Sequence, residues 1–134
     1  MMFQNSGLGN AINPLTSLNH PFRIPTLVVC TWRAAPGLKD EPQHELMGQI
    51  TPDLFDIMRI SRMPFPAKND AVADTLRRAR NIMDESGLPV ALIMQKDDVA
   101  PHALTSPDVA DQSKHGGVSK RLGGNDNVKR NKAL

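Results

Sequence analysis

The 134 residues suffice for one domain, and at 40% hydrophobic and 22% charged they have the balance of an ordinary globular protein. A single cysteine excludes an intramolecular disulfide framework; the start lacks a basic-then-apolar leader, and no apolar run approaches the ~20 residues of a membrane span, so a cytoplasmic, membrane-free protein is expected. The net charge of +2 is uneven: residues 1–104 carry 10 Lys and Arg against 11 Asp and Glu, residues 105–134 carry 6 against 3, and no aromatic residue lies among the tail's cations to stack on bases, which argues against a nucleic-acid partner.

The chain opens on a turn with two glycines, Gln4 to Asn10, followed by a stretch, Ala11 to Leu18, that reads as a short helix ended by Asn19-His20-Pro21. Glycines let the backbone approach a ligand, and a following helix start offers unpaired N–H groups to an anion. A tight strand-to-helix turn is the alternative, and the third glycine of a dinucleotide fingerprint is replaced by Ile12. His20, beside a breaker and without a second ligand-type neighbour, reads as a surface residue.

Ile24 to Trp32 is short, β-branched and continuously apolar, which predicts a strand buried on both faces in a parallel sheet. Immediately after it, Thr31 to Glu45 gathers two cations, three carboxylates, Gln43 and His44 in a segment broken by Pro36, Gly37 and Pro42. In open α/β sheets ligands bind beyond the carboxyl ends of strands, so this loop is the candidate site. Thr51-Pro52-Asp53 reads as a helix start capped by Thr51, with Leu54, Ile57 and Met58 as its apolar face. Ile60 to Pro66 reads as an extended connector.

Asn69 to Ser86 carries the clearest helical stripe, Val72, Leu76, Ala79 and Met83, with Arg77, Arg78 and Arg80 on a solvated face and Gly87 as the stop. Leu88 to Gln95 is a second buried strand with its proline at the start. Strand, helices, strand is a crossover unit, so the expected fold class is α/β, a partial parallel sheet with packed helices. Two full strands make a thin sheet, as in part of a domain. From Thr105 the apolar periodicity stops, so residues 1–104 are read as the domain and 105–134 as a disordered polar and basic tail.

The runs Gln4-Asn5-Ser6-Gly7-Leu8-Gly9-Asn10, Asn13-Pro14-Leu15, Pro25-Thr26-Leu27, Trp32-Arg33 and Pro36-Gly37-Leu38-Lys39-Asp40-Glu41-Pro42-Gln43-His44-Glu45-Leu46-Met47-Gly48 closely resemble the phosphonopyruvate decarboxylases and sulfopyruvate decarboxylase alpha subunits, over about Met2 to His102. The resemblance implies the pyrimidine-binding domain of a thiamine diphosphate enzyme. It further implies decarboxylation of a 2-oxo acid with a phosphonate or sulfonate on carbon 3, giving the aldehyde and CO2. Magnesium would be held by a diphosphate-binding domain or subunit outside this chain, within an oligomer. In this reading Asn5, Ser6, Gly7, Gly9 and Asn10 face the cofactor, Arg33, Lys39, Asp40 and Glu41 the anionic substrate, and no residue ligates metal. His44, whose ordinary pKa lies near neutrality, is the expected proton carrier beside Gln43.

Two departures qualify the resemblance. The family places the glutamate that activates the thiamine pyrimidine upstream of the Gln4–Asn10 turn, and only three residues precede Gln4. Ala34 stands where the Trp-Arg-Gly pattern has glycine. The chain is therefore expected to need further parts or a partner for activity. The alternatives are a non-catalytic remnant that keeps the pairing surface, or a small-anion-binding domain without chemistry.

Overall fold

The computed structural model describes residues 1–101, and the tail read as disordered, 105–134, lies outside the described residues. Four strands form one parallel sheet: β1 (Met2–Gln4), β2 (Leu27–Thr31), β3 (Ser61–Pro64) and β4 (Val90–Met94), in the order β1-β2-β4-β3. The connections are helical: α1 (Leu8–Pro14), continued by a wider turn over Leu15–Asn19; α2 (Glu45–Ile57); and α3 (Asn69–Ser86), stopped by Gly87 in the left-handed conformation. Because every strand runs the same way, all carboxyl ends lie along one edge. There Gln4, Thr31 and Met94 fall into one register row. No helix among the described residues is long and apolar enough to cross a membrane.

Alternation along the strands sorts the core into two layers. Val28, Cys30, Ala91 and Ile93 meet Leu8, Leu15, Phe55 and Met58 from α1, α2 and their extensions. On the other face Val90 and Leu92 pack with Met63, Ala79, Ile82 and Met83 under α3. Strand β4, flanked by β2 and β3 and covered by helices on both sides, is buried through Val90, Ala91, Leu92 and Ile93, as its continuous apolar run predicts. Strand β2 departs from that expectation. Val28 and Cys30 are fully buried, whereas Leu27 and Val29 are only half-buried, because the single helix on that face packs over β4. Burial pushes the Cys30 thiol up to about 12, which keeps it protonated and unreactive.

Four sequence expectations are corrected. The Gln4–Asn10 turn is itself helical: a tight turn over Asn5–Gly7 leads directly into α1 at Leu8. The segment Ile60 to Pro66 contains the edge strand β3, whose outer side has no ladder for its proline to break. Leu76 is 43% exposed and Ile82 takes its place in the stripe. Helix α2 starts at Glu45, not at Thr51, so Pro52 sits in its interior; Phe55 is buried where Ile57, 76% exposed, was expected.

An interior proline leaves the carbonyl four residues earlier without its usual donor. That carbonyl belongs to Gly48, and the Trp32 indole N–H donates to it at 2.7 Å. The Thr51 hydroxyl meanwhile donates to the Met47 carbonyl. The helix passes through Pro52 because Trp32, the residue that follows β2, replaces the missing bond.

Candidate site beyond the strand ends

A cleft of about 440 Å³ opens at the carboxyl ends of β2 and β4. Thr31, Trp32, Arg33 and Ala34 form one wall, Met94, Gln95 and Lys96 another, and Leu38, Lys39 and Asp40 reach in from the loop. Three cations and one carboxylate thus face a volume partly walled by Trp32, Leu38 and Met94. A second cleft of about 350 Å³ lies on the other side of the same loop, and Glu41, Glu45 and Gln49 line it. Lys39 and Asp40 line both, so the loop lies between a cationic cleft that also holds Arg33 and Lys96 and a more acidic cleft that also holds Glu41 and Glu45.

Asp40 holds this loop closed. Its carboxylate accepts the Arg33 Nε–H at 2.7 Å and Arg33 Nη2 in a fork-to-fork pair, together with the backbone N–H groups of Ala34 at 2.9 Å and Glu41 at 2.8 Å. The Arg33 guanidinium, then the Glu41 and Ala34 N–H groups, hold the Asp40 carboxyl well below the usual carboxylate range. The same pairing raises the Arg33 pKa. Because the folded pKa is depressed, the stabilisation is complete above the ordinary carboxylate pKa and is lost as pH falls through the lower, folded value. In a carboxyl-carbon NMR titration Asp40 is expected to stay largely ionised at about pH 3, where an ordinary aspartate of pKa about 3.9 is mostly protonated. An Asp40 midpoint in the ordinary range would mean that the clamp is open in solution.

Ala34 takes φ +50°, the left-handed region that disfavours a Cβ. Its carbonyl also sits against α2 so closely that a Cβ on Gly48 would lie 1.9 Å from the oxygen. The glycine expected at position 34 thus has a conformational reason. Ala34→Gly should raise stability by about 0.5–1 kcal/mol, read as a higher denaturation midpoint at unchanged slope. A lower midpoint would contradict the left-handed backbone.

The strand end is pinned from below by Asn5, which is fully buried. Its amide N–H groups donate to the Arg33 carbonyl and to Thr51 Oγ1, each at 3.0 Å, and its Oδ1 accepts the Arg33 N–H at 3.3 Å. Asn5, expected to face a cofactor, therefore spends its polar groups inside the fold. Its neighbours are freer. Ser6, Gly9 and Asn10 are exposed, and nothing lies within 4 Å of where a Gly9 Cβ would stand. Gly7 keeps a right-handed φ of −80°. One buried donor is orphaned here: Gln4 Nε2, at the end of β1, has no hydrogen-bond partner among the described residues. A buried amide left unpaired costs free energy, and a heteroatom presented at the strand edge would satisfy it. A cofactor that offers ring acceptors fits such a donor.

His44 and Gln43 occupy the tight turn Pro42–His44 that leads into α2 and line none of the three clefts found along this edge. Glu41 belongs to the acidic cleft. Sequence reading assigned no role to Gln95 or Lys96. The available signal was the second buried strand: in a parallel sheet its end opens on the same edge as the first.

No family model matches the chain. Over 101 residues it is 46% identical to the phosphonopyruvate decarboxylase of Streptomyces viridochromogenes, covering 75% of this chain and 25% of that protein. The phosphonopyruvate decarboxylase of Streptomyces hygroscopicus is 45% identical over the same shares. The sulfopyruvate decarboxylase subunit alpha of Methanocaldococcus jannaschii is 33% identical over 94 residues, 69% of this chain and 54% of that one. The chain thus spans about a quarter of the length of the former relatives and about half of the latter.

Proposed function

We infer, from a chain that over its matched residues belongs with the phosphonopyruvate decarboxylases and sulfopyruvate decarboxylase alpha subunits, that it forms one part of a composite active site. The proposed reaction is decarboxylation of a 3-phosphono or 3-sulfo 2-oxo acid: the bond between the carboxylate and the carbonyl carbon breaks, CO2 leaves, and a proton takes its place to give the aldehyde. The observation that carries this reading is the cationic cleft at the strand ends, which suits a small dianion. A cytoplasmic setting goes with it.

Thiamine diphosphate, when bound, supplies the electron sink for the carbanion left by CO2. Magnesium and the diphosphate-binding part come from a partner domain or subunit. Gln4 and the exposed Ser6, Gly9 and Asn10 are assigned to the cofactor's ring, with Gly7 shaping the turn and Asn5 fixing the strand end beneath it. Lys39 meets the substrate anion; the Arg33–Asp40 clamp shapes the wall, and Glu41 borders the rim. His44, with Gln43 beside it, stands at the head of α2 outside the cleft lining and is assigned as the proton carrier on the matched loop motif and the near-neutral ordinary pKa of imidazole.

Calorimetry separates this reading from that of a non-catalytic remnant. Mixed with the complementary subunit of a sulfopyruvate decarboxylase, the chain is expected to increase the binding of thiamine diphosphate with magnesium over that of the subunit alone. Association of the two chains without added cofactor binding would leave only the remnant.

A further inference from the structure

The cleft contains more positive charge than the loop alone provides. Arg33 closes both Nε and Nη2 on Asp40, so the pair is neutral as a unit and its fork is occupied. Two cations remain on the wall: Lys39 on the loop and Lys96, two residues beyond β4. Neither takes part in an ion pair among the described residues. The nearby carboxylate of Asp98 is turned onto the backbone, where it accepts the Gln95 N–H at 2.7 Å. That bond folds the chain back after Gln95 and leaves Lys96 on the cleft. The site therefore presents two ammonium groups from two separate elements, beside one neutralised pair.

We propose that Lys96 is a substrate-anchoring residue that works with Lys39 to hold a short ligand with two anionic groups, and that Arg33 is a positioning residue whose charge is spent on the loop. The inference rests on the decarboxylase reading for the identity of the ligand. Two point charges on different walls discriminate by the number and spacing of anionic groups. A mono-anionic 2-oxo acid leaves one ammonium unpaired, whereas a carboxylate joined to a phosphonate or sulfonate engages both. Ammonium groups also suit either tetrahedral anion, because they impose no planar bidentate geometry. Lysine at 96 thus favours dianions without choosing between phosphonate and sulfonate.

The test uses phosphonoacetate, which joins a carboxylate to a phosphonate but has no carbonyl to react. Its binding to the full chain is measured by NMR titration at low ionic strength, with acetate as the mono-anionic control. We expect Lys96→Ala and Lys39→Ala each to weaken phosphonoacetate binding about tenfold or more, the loss of one charge-assisted hydrogen bond. Lys96→Arg should retain most of it, and acetate should bind far more weakly to every form. Lys96 is exposed, so its variants should keep the parent amide spectrum outside the cleft. Binding to Lys96→Ala within twofold of the parent, or no binding by the parent chain, would overturn the proposal. The outcome is independent of turnover. Binding through Lys96 with no aldehyde from the chain mixed with an active diphosphate-binding subunit leaves this assignment standing and removes the decarboxylase reading; turnover of that mixture indifferent to Lys96→Ala does the reverse.

Discussion

Gly48→Ala is expected to lower the melting temperature by about 10 °C or more, against the usual trend for a helix interior. Replacing an interior helical glycine by alanine ordinarily gains about 1 kcal/mol, because glycine loses more backbone entropy on folding. Here the new Cβ would lie 1.9 Å from the Ala34 carbonyl oxygen and 2.5 Å from its carbon. Both are backbone atoms, so no rotamer change relieves the contact. The loop must lift from α2, and with it goes the seat of the Trp32 indole on the Gly48 carbonyl. A net loss of about 2–4 kcal/mol follows from overpacking with a broken, partly buried hydrogen bond. Gly9→Ala, with nothing within 4 Å of its Cβ, serves as the control and should gain about 0.5–1 kcal/mol. A Gly48→Ala protein as stable as its parent would mean that the loop is not seated on the helix.

Asn5→Ala should cost about 2–4 kcal/mol in denaturant unfolding, more than its size suggests. The side chain joins three parts of the chain that are distant in sequence: the end of β1, the backbone of Arg33 and the Thr51 hydroxyl in α2. Removing it leaves the Arg33 N–H and carbonyl and the Thr51 hydroxyl to find partners in a site that excludes water around position 5. The consequence reaches the cleft, because Arg33 is where β2 hands over to the loop. Amide exchange at Ala34 and Arg33 should rise along with the loss of stability. A cost below about 1 kcal/mol with unchanged exchange would show that Asn5 is not the pin.

Much of the scaffold is legible in the residues themselves. The two buried strands and α3 carry their period and their punctuation locally, and Gly87 ends α3 by a conformation that glycine favours. Helix α2 is different. Gly48 and Pro52 both look like breakers, and the compensating donor is Trp32, sixteen residues away, which no local pattern connects to them. Ser61–Pro64 has two prolines nearby and reads as a connector, yet a parallel edge position asks for hydrogen bonds on only one side. At the site, the density of charge in the 31–45 loop is visible in the sequence, but its division is not. Arg33 and Asp40 cancel each other only once the loop is folded, and Glu41 turns to the acidic cleft. Lys96 joins Lys39 because β4 lies next to β2 in the sheet, a fact of topology rather than of spacing.

The most direct measurement is a decarboxylase assay on phosphonopyruvate with thiamine diphosphate and magnesium, using the chain alone and mixed with a diphosphate-binding subunit from a relative. The composite-site account predicts aldehyde and CO2 in equal amounts from the mixture, dependent on the cofactor and absent from either component alone. No turnover in the mixture, under conditions where that subunit is active with its own partner, would contradict it.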